Sequence, residues 1–399
     1  MNAPARRRLL WICSRLPYPP HRGDRLLGWG ALHALAARHH VRVLSLVDGS
    51  EPPDAPQRML EVCERADVVH LPRWRSWLQA WAGLPGPDPS QVSYYRSLRM
   101  AHLVRQTIAE WLPEAIFVQM LRLAPLVANV EHPCKVLLLT DSIAMALGRS
   151  KAFQPAWKRP GVEWERRRVE RFEVAMTRRF RESWLVSDLD REELLSRGAV
   201  RLATVANGID DRLLEMEHHP ADPPVITFLG NLSVPHNVDA ARFAAEEIWP
   251  LVLARVPRAR LSLVGADAVP AVTRLGELPG VEVRGFVDDP RDIWRGSSAL
   301  LAPLRFSSGV QNKALDAMAA GVPVVTTSAV AAGLHLPDGE EILTGETARE
   351  LAGAVIATLT DREAAACRAA RARAHVRAHH AWSGYAERIE ALLAESPPA

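Results

Sequence analysis

Lys313 and Asp316 stand three residues apart in the stretch Pro303-Leu-Arg-Phe-Ser-Ser-Gly-Val-Gln-Asn-Lys-Ala-Leu-Asp-Ala-Met-Ala-Ala-Gly321. On a helix that spacing puts a cation and a carboxylate on neighbouring parts of one face. Behind a Ser-Ser-Gly turn, the lysine suits a phosphate or diphosphate and the carboxylate suits ribose hydroxyls. The lysine stands out because only four (135, 151, 158 and 313) occur among the 49 Lys and Arg residues. An ordinary amphipathic helix with both groups in water fits the same pattern, and the residues alone leave the two readings open.

The elements that must position these groups are legible nearby. SSALLAPL (297–304) reads as a buried strand, and Ser307-Ser308-Gly309 as a turn and helix cap. Val310 to Ala320 is rich in helix formers, Gly321 is a C-cap, and Val322-Pro323-Val324-Val325 opens the next strand. Such a loop would place free backbone N–H groups and a helix N-terminus at the carboxyl edge of a sheet.

The segment GVQNKALDAMAAGVPVV (309–325) resembles the donor-binding segment of family 4 glycosyltransferases, in the branch associated with bacterial exopolysaccharide systems. LPYPPHRGDR (16–25), LVSDLD (185–190), VANGID (205–210), FLGNLSVPHNVDAA (228–241) and VRGFVDDPRDIW (283–294) support it by their order and spacing. The resemblance implies an α/β chain in the GT-B arrangement, two Rossmann-like doubly wound domains facing across a cleft. Its catalytic residues would be Asp141, Lys313 and Asp316. Its donor-binding set would be Gly23 and Arg25 after the first strand, Gly230 and Asn231, Gly285 and Phe286, then Arg305, Ser308, Gly309, Val310, Gln311 and Asn312.

Composition agrees with a globular two-domain chain: 399 residues, 48% hydrophobic, 24% charged and a formal net charge of +3. So small a charge gives no ground for nucleic acid, and no nucleic-acid motif is present. No stretch approaches the roughly 20 apolar residues of a membrane span, and the N-terminal apolar run is too short for a signal peptide. The expected location is the cytoplasm, with peripheral contact at the inner face of the plasma membrane. Cys13, Cys63, Cys134 and Cys367 are widely spaced, which suits reduced thiols in place of disulfides or zinc.

The expected domains are 1–205 (acceptor domain), 206–224 (a polar, Pro-rich linker), 225–377 (donor domain) and 378–399 (a helix returning to the first domain). Strands are expected at 8–13, 41–47, 66–70, 114–119, 135–140 and 184–187, then at 225–229, 261–265, 281–284, 298–304 and 323–327. Thr140-Asp141-Ser142 ends a buried strand, where α/β sheets place functional groups, so Asp141 either orients an acceptor hydroxyl or caps the following helix. Asp24 reads either as a helix N-cap beside a solvated Arg25 or as part of the cleft. Phe286 lines either the nucleobase pocket or the core. Residues 157–181, dense in Arg and Glu, read as a salt-bridged helix. Trp74, Trp77 and Trp81, interleaved with Arg73 and Arg75, suit a helix that buries its tryptophan stripe, the favoured expectation, or one that faces a membrane.

Three positions depart from the family. Asn231 and His236 stand where many members have Arg and Lys, and Ser308 stands where a first carboxylate is usual. The second carboxylate, Asp316, is one methylene shorter than Glu. The expected function is transfer of a sugar from a nucleotide-sugar donor to a saccharide or lipid-linked acceptor with retention. No cofactor is expected, and no Asp-x-Asp stands in a context suited to a metal. The alternatives are a sugar-nucleotide 2-epimerase, and a non-catalytic nucleotide-sugar-binding scaffold subunit, which the three departures motivate.

Overall fold

Runs such as Leu9-Leu10-Trp11-Ile12 and Val136-Leu137-Leu138-Leu139 are apolar without alternation, and all of these side chains are buried. Strands of that kind belong in parallel sheets covered on both faces. The computed structural model describes residues 6–19, 23–151, 154–206, 208–305, 311–334, 336 and 338–395. Its chain divides into two compact units, Met1–Gly208 with Trp382–Ala399, and Ile209–Ala381.

Unit 1 has seven parallel strands: β1 (Arg8–Cys13), β2 (His40–Val47), β3 (Arg65–His70), β4 (Ala115–Gln119), β5 (Lys135–Thr140), β6 (Glu182–Leu185) and β7 (Leu202–Thr204). Their order is β3-β2-β1-β4-β5-β6-β7, so the winding reverses between β1 and β4. Leu9, Trp11 and Cys13 pack on one face with Ala31 and Leu35, while Leu10 and Ile12 pack on the other with Val104 and Val169. The C-terminal helix Trp382–Ala394 covers the first face through Tyr385, Ile389 and Leu392.

Unit 2 has six parallel strands: β8 (Val225–Leu229), β9 (Arg260–Val264), β10 (Val281–Arg284), β11 (Ser297–Ala302), β12 (Val324–Thr326) and β13 (Leu343–Thr344). The order β10-β9-β8-β11-β12-β13 reverses between β8 and β11. In open α/β sheets a ligand crevice lies outside the carboxyl ends of the strands at such a reversal.

Several expectations change. The tryptophan stripe is not buried: Trp74, Trp77 and Trp81 are 66%, 60% and 70% exposed. The helix Arg73–Ala82 packs instead through its small residues Ser76 and Ala80, which are one turn apart. The segment expected as a linker contains the helix Asp211–Glu215, because Leu213 and Leu214 are apolar and join the core of unit 2. The helix after β8 starts at Pro235 and runs to Leu253 through a π-helical stretch, Phe243–Ile248. Strands β7 and β13 had no counterpart in the sequence reading.

Elsewhere the expectations hold. The helix Arg159–Thr177 is laced by ion pairs from Glu163 to Arg166, Arg167 and Lys151. All four cysteines are free, with Cys13, Cys63 and Cys134 buried and Cys367 exposed. Among the described residues no helix is long and apolar enough to cross a membrane.

Candidate functional site

At the reversal point of unit 2, β8 leads through Gly230-Asn231 to the helix Pro235–Arg242, and β11 leads to the helix Asn312–Ala319. The two first turns are joined: Lys313 Nζ donates to Asn237 Oδ1 at 2.7 Å. Asn237 is fixed in turn, its Nδ2 donating 3.0 Å to the Asn231 carbonyl. The ammonium also sits 5.2 Å from the centre of the Phe228 ring. Burial pulls the Lys313 ammonium down to about 7.

Two glycines make this geometry possible. A Cβ on Gly230 would lie 2.7 Å from the Asn237 side chain, so glycine leaves the room that Asn237 occupies. Gly265, at the end of β9, has φ +155, and a Cβ there would lie 1.8 Å from the Gly230 carbonyl oxygen. Gly230 therefore supports the residue that holds Lys313.

Asp316 lies one turn deeper on the same helix. Burial pushes its carboxyl up to about 7, and the charge of Asp210 adds to the shift. A carboxyl that titrates near neutrality can accept or donate a hydrogen bond, which suits a hydroxyl-bearing ligand. Asp210 caps the helix Asp211–Glu215 and is paired with Arg212 at 2.6 Å.

Asn231 and His236 are not cationic here. Asn231 Nδ2 donates to Asp267 at 2.8 Å and its Oδ1 accepts from Ser233 N at 3.0 Å, so its amide is already engaged. His236 is pulled down to about 4 by burial, reinforced by the charge of Lys313, and is neutral at pH 7. Arg305 is paired through Nε and Nη2 with Asp239 and stacks 4.8 Å over Phe243, so its charge is largely balanced. Among the described residues, no carboxylate in contact offsets the charge of Lys313.

The remaining donor candidates divide. Gln311 is the N-cap residue of the Lys313 helix, with no side-chain capping bond, and Asn312 is its first residue. The expected Ser307-Ser308-Gly309 cap and the site positions Ser308, Gly309 and Val310 lie outside the described residues. A Cβ on Gly285 would meet open space, and Phe286 is 45% exposed, which removes the core explanation for it.

In unit 1, Gly23 and Arg25 lie at the start of the helix Gly23–Ala36, which follows β1. Arg25 is pinned within its own unit by Glu51 at 3.4 Å. Asp24 lies in the first helical turn and is not the cap. Asp141 follows β5. Ser142 caps the next helix by accepting from Met145 N at 3.3 Å, so the capping explanation for Asp141 fails. Among the described residues, Asp141 Oδ1 is buried without a hydrogen-bond partner. Burial and the charge of Asp190 push its carboxyl up to about 6.

The sequence reading missed the supporting residues. Asn237 and Asp239 lie within the first five residues of the helix that follows β8, and a polar pair at the start of that helix was an available signal. Glu173 accepts from Ser142 Oγ at 3.1 Å and Asp190 from Ser142 N at 3.0 Å, which fixes the loop beside Asp141; their positions in sequence give no hint of this.

Two six- and seven-stranded parallel sheets with this winding define the class: the fold is that of the GT-B glycosyltransferases. Residues 223–361 match the family model described as Glycosyl transferases group 1. The chain is similar in structure to HepE of Anabaena in complex with UDP and glucose (TM-score 0.69, 17% identity, 97% of this chain and 99% of that one). It is also similar to sucrose-phosphate synthase from Thermosynechococcus elongatus (0.71, 15%, 98% and 99%). A third such structure is WaaG, a glycosyltransferase involved in lipopolysaccharide biosynthesis (0.65, 15%, 97% and 100%). A search of curated protein sequences finds no match.

Proposed function

We propose that this protein transfers a sugar from a nucleotide-sugar donor to a saccharide or lipid-linked acceptor, in bacterial exopolysaccharide or related glycan biosynthesis. The observation that carries the reading is the placement of Lys313, by Asn237, at the β8–β11 reversal inside the segment matched to group 1 glycosyl transferases. Unit 2 holds the donor: Lys313 takes the diphosphate, Asp316 the ribose hydroxyls, and the exposed Phe286 beside the open Gly285 position the base. Unit 1 takes the acceptor at Asp141.

In the reaction the bond from the anomeric carbon to the donor phosphate breaks as the acceptor oxygen bonds to that carbon, and the configuration is retained. The acceptor proton passes to the leaving phosphate or to Asp141. The negative charge that develops on the nucleoside diphosphate is met by Lys313, with no metal and no cofactor beyond the donor. A single charge-assisted contact of this kind is worth roughly 1.5–3 kcal/mol. The exposed Trp74, Trp77 and Trp81, with Arg73 and Arg75 beside them, bring the protein to an anionic membrane surface, where a lipid-linked acceptor would lie. The protein works in the cytoplasm, at the inner face of that membrane.

The deciding experiment incubates purified protein with UDP-, GDP- and other nucleotide sugars and lipid-linked acceptors, and follows the released nucleoside diphosphate. Release that depends on acceptor supports the transferase. Binding of UDP without turnover on any acceptor would instead favour a scaffold, for which the loss of cationic character at Asn231 and His236 speaks.

A further inference from the structure

We propose that unit 1 carries a seat for an anionic group of the acceptor, a phosphate or carboxylate, built from Arg15, Arg122 and Tyr95 at the β1–β4 reversal point. This deepens the transferase reading and rests on it. Arg15 follows β1 and Arg122 follows β4, the two strands between which the winding reverses. That is the place in an open α/β sheet where a crevice forms.

The two guanidinium groups share one counter-charge. Arg15 Nη1 lies 3.3 Å, and Arg122 Nη2 3.6 Å, from the same atom, Asp24 Oδ2. Asp48 also acts on Arg15, but it is itself paired with Arg73 at 3.4 Å. The cluster therefore holds more positive than negative charge.

Arg122 is the buried member. Its side chain is 10% exposed, its guanidinium lies 4.6 Å over the Tyr95 ring, and its Nε has no hydrogen-bond partner among the described residues. Burial holds this guanidinium below its ordinary range, and the charge of Arg15 works in the same direction. An anion entering such a crevice relieves both penalties.

The platform is rigid. The Asp24 carbonyl accepts from Gln119 Nε2 at 2.5 Å, and Gln119 Oε1 accepts from Trp11 Nε1 at 3.1 Å. Arg15 keeps one-third of its side chain open to solvent, so a ligand can reach the cluster. β5, which Asp141 follows, is the neighbour of β4. Strands lie about 5 Å apart, so the ends of β4 and β1 stand one and two strand steps from the end of β5. An acceptor of one or two sugar rings that sets its anionic group on the arginines would then bring a hydroxyl toward Asp141.

The test uses the full chain saturated with UDP, titrated calorimetrically with glucose 6-phosphate, glucuronate and glucose. At least one anionic sugar should bind more tightly than glucose, and comparison of the two tells phosphate from carboxylate. Arg122→Gln and Arg15→Gln should each weaken that binding about tenfold or more. Asp24→Asn, which removes the competing carboxylate, should strengthen it, a change that damage to folding cannot imitate. UDP affinity should stay constant throughout. Equal binding of all three sugars, or arginine variants that bind like wild type, overturns the seat. Failure of UDP to bind, with the anionic sugar still bound and still sensitive to Arg122, overturns the donor reading and supports the seat.

Discussion

Lys313 Nζ donates a 2.7 Å hydrogen bond to Asn237 Oδ1, tying together the first turns of the two helices that follow the central strands β8 and β11. The bond fixes the direction of a flexible side chain, so that little entropy remains to be lost when an anion binds. It also gives a half-buried ammonium a polar partner where, among the described residues, no carboxylate is in contact.

Lys313→Ala should therefore weaken UDP binding by about tenfold or more, and Asn237→Ala should weaken it in the same direction while leaving the fold intact. The pH dependence follows from the depressed ammonium, at about 7. The lysine is charged below that value and neutral above it, and a bound diphosphate favours the charged form. UDP affinity should fall as pH rises through 7, and binding at pH 8 should take up a proton. Calorimetry in buffers of different ionisation enthalpy reads that proton, and an unchanged signal in Lys313→Ala would remove the assignment.

Asp141 carries the second prediction. Its carboxyl, pushed up to about 6 by burial and the charge of Asp190, is ionised at neutral pH and protonated below about 6. In its proposed role as proton acceptor or orienting anion it would be active only in the ionised form. The rate should drop as pH falls through 6, and Asp141→Asn should lower turnover about 100-fold and abolish that limb. UDP binding should be unaffected, since Asp141 belongs to unit 1. A variant whose pH profile overlays that of wild type would show that the limb belongs to another group.

These sites were unevenly legible in the sequence. Strands such as β1, β5 and β8 were readable to the residue because unbroken apolar runs have few other uses. β7 and β13 were not, being two or three residues long and half-buried. Lys313 was visible as a rare lysine in a known segment, but its partner is 76 residues away and no periodicity reports it. Arg15 and Arg122 were likewise hidden, because only the strand order brings their loops together. The tryptophan stripe failed for another reason: helical spacing shows that three side chains share a face, not which face the protein covers.

That exposed stripe yields the third prediction. Trp74, Trp77, Leu78 and Trp81 are each at least 60% exposed on one short helix, with Arg73 and Arg75 alongside. Interfacial tryptophan and arginine favour a surface of anionic phospholipid. Wild-type protein should float with phosphatidylglycerol vesicles and not with phosphatidylcholine vesicles. Trp77→Ala combined with Trp81→Ala should abolish flotation at unchanged melting temperature. Absence of wild-type binding to the anionic vesicles would end the membrane assignment.

The last prediction concerns how the C-terminal helix is held. The indole of Trp382 lies between two glycines of unit 1: a Cβ on Gly30 would sit 1.9 Å from it, and one on Gly208 would sit 2.2 Å from it. Neither distance can be met by a small shift, because the ring is bounded on both sides. Gly30→Ala should therefore displace the indole and loosen the helix Trp382–Ala394, at a cost of about 1–3 kcal/mol for overpacking. For a unit of this size that lowers the melting temperature by about 2–4 °C per kcal/mol. Replacing the ring as well, in Gly30→Ala with Trp382→Leu, should recover part of the loss, since leucine leaves room for the added methyl. UDP binding, which is proposed for unit 2, should not move. A Gly30→Ala protein that melts like wild type would mean that Trp382 has room to turn aside, and that the helix is held by Tyr385, Ile389 and Leu392 alone.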